Sequence, residues 1–393
     1  MKRVAGSLLV LLLSTALAGP IQAQQSAISR LDGSKITPAQ IDAAVNSSMK
    51  AAHVTGVGIA IFNRGKLVYL QTFGFRDTQK RLPLTPDSIM TAASLTKPVF
   101  ATMVMELVHE RLIDLDTPVY EYLPKPLPEY ARYRDLASDP RYKQITMRML
   151  LDHTSGFANW RRFMPGGKLR IYFHPGTRFA YSGEGIALAQ MVVETVIKQP
   201  ITNTMSERIF VPLKMSRTSM VWQTRFEKDY ADGYDGQGAS LGPERRRIGD
   251  AAGGMQTTLR DYARFVQAIL DGGFPDENLR DLMLSRQIPI VSKHEFPSLS
   301  TEENISGDEA IHLSYGLGWG LFWTPYGKVF FKEGHDNGWR HYVVCFDGPK
   351  TGMLIMTNSS NGEDIYDRLL RMLIADKFTP LEWEGFRPAR RHP

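Results

Sequence analysis

The sequence predicts an α+β protein. Strands from both chain ends form one antiparallel sheet flanked by helices, and a mainly helical segment between them forms a second lobe. Three observations carry that expectation. Apolar, strand-like runs occur at Val57–Phe62 and Leu67–Phe73, and again around 315–323, 328–333, 341–347 and 352–357. From Ser94 to about Leu270 the apolar spacing is helical instead. The 393 residues exceed the roughly 250–300 that one hydrophobic core holds.

Each element follows from local chemistry. Residues 24–36 read as a loose leader. Thr37-Pro38-Ala39-Gln40 starts a helix that runs to about His53: a cap, a proline in the first turn and a glutamine three residues after the cap. Asn63-Arg64-Gly65-Lys66 is turn chemistry between the first two strands. Helices are expected at 95–112, 145–152, 183–198, 202–210 and 258–271, the last begun by Thr258-Leu259-Arg260-Asp261. Residues 272–312 are polar and aperiodic, Asp347-Gly348-Pro349-Lys350 turns the last strand pair, and a helix from about Asp364 to Phe378 closes the chain. A lone two-stranded hairpin is marginal, so the C-terminal strands are its partners. The α/β lobe then comprises about 37–93 and 312–380, and the helical lobe about 94–311. A cleft between two lobes suits a small molecule.

Composition narrows the function. The chain is 43% hydrophobic and 22% charged, which is globular, and its net charge is 47 − 41 = +6. Without Lys2 and Arg3 it is 45 − 41 = +4, too mild to call for nucleic acid. Arg245-Arg246-Arg247 has no interleaved aromatics and reads as a solvated loop. Lys2 and Arg3 precede the uncharged apolar run Leu8–Ala18 and then small residues. This fits residues 1–23 as a secretory signal cleaved after Ala23, with Ala18 as the other candidate. The run is too short for a stable membrane span, so the mature chain, 24–393, is expected to be secreted or periplasmic. The single cysteine, Cys345, lies in an apolar strand pattern and reads as a core residue. Neither a metal site nor a phosphate loop is apparent, and no cofactor is expected.

Ser94-Leu95-Thr96-Lys97 fits Ser-x-x-Lys, as does Ser47-Ser48-Met49-Lys50. Position separates them. Ser47 falls near the end of the first helix, where the dipole disfavours an oxyanion. Ser94 falls at a helix start, because Pro98 lacks an N–H and only a first turn tolerates that. There, free N–H groups face a developing oxyanion, and Lys97, one turn on, can help deprotonate the serine.

Pro175-Gly176-Thr177-Arg178-Phe179-Ala180-Tyr181-Ser182-Gly183 is a turn leading into a helix. With this second motif the chain resembles the class C β-lactamase and penicillin-recognising serine hydrolase family, which pairs Ser-x-x-Lys with Tyr-x-Asn or Tyr-x-Gly. Leu150-Leu151-Asp152-His153-Thr154-Ser155-Gly156, Ala252-Gly253-Gly254-Met255 and Tyr315-Gly316-Leu317-Gly318-Trp319 resemble it too, over about residues 37–375. The resemblance implies a β-lactamase/transpeptidase-like fold. It makes Ser94 the acylated nucleophile, Lys97 the holder of the proton network and Tyr181 the general base. Gly183 stands where true class C enzymes carry an asparagine, so a substrate-binding amide is missing. For the family's third motif, Lys-Thr-Gly or His-x-Gly, the chain offers Glu333-Gly334-His335-Asp336-Asn337-Gly338-Trp339-Arg340. It puts His335 at the lysine position, makes Gly338 the second oxyanion-hole N–H beside that of Ser94, and leaves Arg340 as a substitute grip on a carboxylate.

His153 reads as structural, and Gly238-Ala239-Ser240-Leu241-Gly242 as a chance match to Gly-x-Ser-x-Gly that lacks the strand and helix a nucleophile elbow needs. The expected function is a serine hydrolase acting through an acyl-enzyme on a small-molecule ester, amide or peptide, with esterase or D-amino-acid peptidase preferred. The alternatives are a class C-type β-lactamase and a non-catalytic penicillin- or peptidoglycan-binding protein on the same scaffold.

Overall fold

The computed structural model describes residues 27–302 and 310–386. The expected signal segment lies outside the described residues. None of the helices among them is long and apolar enough to cross a membrane.

A nine-stranded antiparallel sheet forms the frame. Its order is Ile288–Pro289, Ser314–Tyr315, Gly320–Thr324, Gly327–Asp336, Trp339–Phe346, Thr351–Thr357, Gly56–Asn63, Lys66–Asp77 and Leu82–Pro83. The chain ends join where Thr351–Thr357 pairs with Gly56–Asn63, from Gly352 opposite Phe62 to Thr357 opposite Val57. This is the expected sheet built from both ends. Its central strands read as unbroken apolar runs because both faces are covered. Ala60, Phe62, Val343 and Cys345 pack towards the helical segment, while Ile59, Ile61, Val344 and Phe346 pack under the first and last helices. Cys345 is a core residue whose thiol burial pushes up.

The first helix is Pro38–Ala52, with Thr37 and Gln40 closing a capping box. The nucleophile helix, Thr96–His109, follows a 3-10 turn at Ala93–Leu95. The helix Gly183–Ile197 starts after Ser182, whose hydroxyl accepts from Gly185 N. Leu259–Asp271 is capped by Thr258.

Several expectations change. In the segment read as a loose leader Ile28–Ser29 pairs with Lys35–Ile36, and the segment read as aperiodic holds a helix, Glu277–Met283, capped by Asp276. The run 315–323 is two strands, because Gly316–Trp319 leaves the sheet to pack on the nucleophile helix; Gly318 sits at φ +81, and an added Cβ there would meet Ala101 Cβ at 2.5 Å. The strand expected at 328–333 continues to Asp336, because Asn337 and Gly338 form a two-residue hairpin turn. The closing helix is short: Tyr366–Leu369, then a π turn, Leu370–Ile374, ended by Ala375 in the left-handed region.

Candidate active site

The nucleophile turn is held from three sides. Ala92 N donates to Met255 O, Met255 N donates to the Thr96 hydroxyl, and Tyr262 donates to Leu95 O. Ala93, just before the serine, has φ +49, a strained conformation of the kind that concentrates at active sites. Ser94 thus stands in the first turn, where N–H groups lack helical partners. Lys97 is buried, and its Nζ donates to Ser94 Oγ at 2.9 Å and to Ala252 O. Burial, then the charge of Lys332, lowers the Lys97 pKa to about 7. A large fraction is therefore neutral amine near neutral pH.

Tyr181 reaches the same point from the start of the helix Gly183–Ile197. Lys97 Nζ lies 4.9 Å from its ring centroid. Its hydroxyl is buried without a hydrogen-bond partner; Ser94 lies close by without closing a bond. Burial, and next the carboxylate of Glu333, raise the Tyr181 pKa well above the usual phenol value. A general base here would need the opposite shift, and Lys97 is the cation nearby. The cation is present, but desolvation and Glu333 outweigh it.

His153 braces this segment. Ala180 N donates to His153 O, Ser182 N donates to His153 Nδ1 at 3.3 Å, and the His153 ring lies 4.4 Å from that of Tyr181. Burial holds its pKa well below the ordinary imidazole value. Ser47 is exposed on the first helix and accepts from Arg368, and Ser240 is exposed and donates to Asp232.

Gly183 has a spatial cause. An added Cβ would come within 2.4 Å of the Trp160 ring. The residues on either side of Trp160 are strapped to this helix start. Gly183 N donates to Asn159 Oδ1, Glu184 N donates to Asn159 O, and Glu184 accepts from Arg161 N, Nε and NH2.

The third motif needs correcting. Gly338 lies in the hairpin turn, and its N–H donates to Ser360 Oγ at 2.9 Å, so it is engaged away from Ser94. Arg340 is spent on Glu363, at 2.6 Å, and on the carbonyls of Asp336 and Trp339; it offers no free grip. His335, about a third exposed, lines the cleft with its Nε2 free of hydrogen bonds and 3.8 Å from the Glu363 carboxylate; desolvation, then the charge of Arg340, keeps its pKa below the usual value. The residue that meets Tyr181 is Lys332, fully buried, with Nζ 4.6 Å from the Tyr181 ring centroid. Lys332-Glu333-Gly334 is the Lys-x-Gly that the sequence reading passed over for His335 three residues on. Gly334 is where the strand touches the nucleophile turn: an added Cβ would stand 3.0 Å from Ala92 O and 3.1 Å from Leu95 Cγ. The offset that linked His335 to Gly338 links Lys332 to His335.

Lys332 pairs with Glu333, and Glu295 and Glu384 lie beside them. Oxygens of these three buried carboxylates come within 4.8 Å of one another. Burial first, then Glu333, pushes the pKa values of Glu295 and Glu384 well up. Lys332 supplies the cation of this cluster. Glu295 comes from the segment read as aperiodic, where His294-Glu295 lacks the second histidine of a zinc helix, and Glu384 from near the end of the described residues.

Ser94, Lys97, Tyr181, Glu333 and His335 line a cleft of about 1120 Å³. Trp160, Met191 and Phe296 give it apolar walls, with the Phe296 ring 5.5 Å from that of Tyr181. A serine with an amine in hydrogen-bond reach, beside a buried hydroxyl and a roomy cleft, can carry out acyl transfer.

The fold is shared with solved structures. An octameric penicillin-binding protein homologue from Pyrococcus abyssi superposes with a TM-score of 0.69 at 23% identity, over 88% of this chain and 79% of that one. A β-lactamase/D-alanine carboxypeptidase from Pseudomonas syringae gives 0.67 at 19% identity, over 84% and 97%. Among curated sequences, protein Rv1367c of Mycobacterium tuberculosis is 26% identical over 65% of this chain and 73% of its own length. Protein flp of Staphylococcus aureus is 24% identical over 81% of this chain, an alignment spanning 62% of that protein. The family model described as Beta-lactamase matches residues 41–376, most of the sequence, and the chain belongs to that family.

Proposed function

We propose that this protein is a serine hydrolase that forms an acyl-enzyme on Ser94 and cleaves a small ester or amide. One observation carries the reading: Lys97 Nζ, lowered to a pKa of about 7, lies 2.9 Å from Ser94 Oγ. In the acylation step neutral Lys97 takes the Ser94 proton as Oγ bonds to the carbonyl carbon. The Ser94 N–H, with a strand N–H at His335, receives the oxyanion. The tetrahedral intermediate collapses, the leaving group departs and takes a proton from Tyr181, and Lys97 returns that proton to Tyr181. Water then cleaves the acyl-enzyme by the reverse relay. Tyr181 is thereby a proton donor first, since its hydroxyl stays protonated at neutral pH.

Ester or D-amino-acid peptide substrates are preferred over penicillins, because Trp160 occupies the place next to Gly183 where a substrate-binding amide would project. Lys332 supports the second reading, a class C-type β-lactamase, by restoring a cation beside Tyr181. Labelling with a fluorophosphonate and a fluorescent penicillin, on wild type and Ser94→Ala, tests the reading. Loss of both labels in the variant supports it, and wild type taking neither label sinks it in favour of a binding protein. Residues 2–23 favour export of this activity; exported protein beginning near Gln24 by mass spectrometry is the expected result, and an intact Met1 on a membrane fraction the contrary one.

A further inference from the structure

The mouth of the cleft repeats one pattern on two loops. Arg162 is followed by Phe163, and Arg247, the last arginine of the 245–247 run, is followed by Ile248. Arg162, Arg247 and Ile248 line the same cleft. Phe163 is 69% exposed and Ile248 82%; with Val211 they are the most exposed large apolar side chains among the described residues.

The charges beside them are not spent. Arg132 and Arg161 pair with Glu184, Arg245 with Glu227, and Arg246 with Glu244, Asp250 and Asp336. Among the described residues Arg162 and Arg247 have no carboxylate partner. Arg162 instead stacks between Trp160 and Phe163, 4.7 Å from each ring centroid. Its charge and the exposed Phe163 ring are therefore held together. Lys168 and Arg170 add exposed cations to the same loop.

We propose that this rim docks on an anionic lipid surface, with Phe163 and Ile248 entering the boundary of the acyl layer and Arg162 and Arg247 meeting headgroup charge. Apolar tips flanked by guanidinium groups match that boundary, where apolar burial and electrostatic attraction add. A protein partner would call for a contiguous apolar patch depleted of charge at its centre, and two separate tips each joined to an arginine do not supply one. The orientation turns the cleft mouth, with Ser94 at its floor, towards the lipid. The proposal stands on the rim alone and does not need the hydrolase reading.

Sedimentation of the mature chain with vesicles of phosphatidylcholine, alone or mixed with phosphatidylglycerol, tests it. The expected result is binding to the mixed vesicles that weakens as salt rises, and little binding to phosphatidylcholine alone. Phe163→Ser with Ile248→Ser, and separately Arg162→Gln with Arg247→Gln, should each lower that binding by about tenfold or more. Ser94→Ala should bind as wild type does, which separates docking from hydrolysis. All of these side chains lie on loops or at the cleft surface, and circular dichroism checks the fold. Wild type that ignores the mixed vesicles, or double variants that bind them undiminished, would overturn the proposal. So would self-association of the chain that the same substitutions abolish, which would make the rim an interface between copies.

Discussion

Trp160 stands against Gly183 so closely that an added Cβ would lie 2.4 Å from its ring. The hydrogen bonds of Asn159 and Glu184 hold the two segments in that contact. The glycine in the Tyr-x-Gly motif is therefore required by its neighbour, and the wall it leaves is an indole in place of an amide.

Gly183→Asn should be destabilised by about 1–3 kcal/mol, the usual range for overpacking. Adding Trp160→Ala should recover most of that loss. Thermal melts of the two single variants and the double variant measure it; an unperturbed Gly183→Asn single variant would contradict the contact.

The same wall bears on selectivity. A penicillin loses one charge-assisted or neutral hydrogen bond where the amide is missing, and such a bond is worth roughly 0.5–3 kcal/mol. We expect kcat/KM for p-nitrophenyl acetate or butyrate to exceed that for nitrocefin. Lys332 narrows the margin, since it sets a lysine side chain beside Tyr181, in the role first given to His335. A nitrocefin value at or above the ester values reverses the preference.

Ser94→Ala should abolish acylation, while Ser47→Ala and Ser240→Ala, exposed and remote from Lys97, should keep nearly full activity. A folded but inactive control variant would displace Ser94 from its role.

The pH profile separates Lys97 from Tyr181. Lys97 is active as a neutral amine and its pKa is about 7, so activity should rise with pH through that value. Lys332 lowers the Lys97 pKa by charge repulsion, and removing that charge in Lys332→Met should shift the limb to higher pH. Stopped-flow acylation rates, with circular dichroism as a folding check, read both. A limb that stays in place in folded Lys332→Met argues against the coupling.

Tyr181→Phe deletes only a hydroxyl that has no hydrogen-bond partner, so the fold should survive. Loss of a positioned proton donor costs roughly 10²–10⁴ in rate. The acid limb near 7 should remain, because it belongs to Lys97. Disappearance of that limb in the variant would return the role of base to Tyr181.

The helix caps, the turns at Asn63–Lys66 and Asp347–Lys350 and the apolar runs that build the frame were legible in the sequence. Each depends on residues within a turn or two of one another: Thr37 with Gln40, and Ser94 with Pro98, four residues on in the first turn of the helix. Ser94, Lys97 and Tyr181 were legible for the same reason, as short motifs at element starts. Lys332 was not. Choosing between it and His335 required knowing that Asn337-Gly338 turns the strand, that Gly334 is the residue touching Ala92, and that Arg340 is claimed by Glu363. Nor could the sequence show Trp160 filling the space beside Gly183, or Glu295 and Glu384 meeting around Lys332 from distant segments. Backbone preferences are local and can be read along the chain. The burial that lowers Lys97 and raises Tyr181, and contacts between segments far apart in the chain, come into being only when the folded chain brings those segments together.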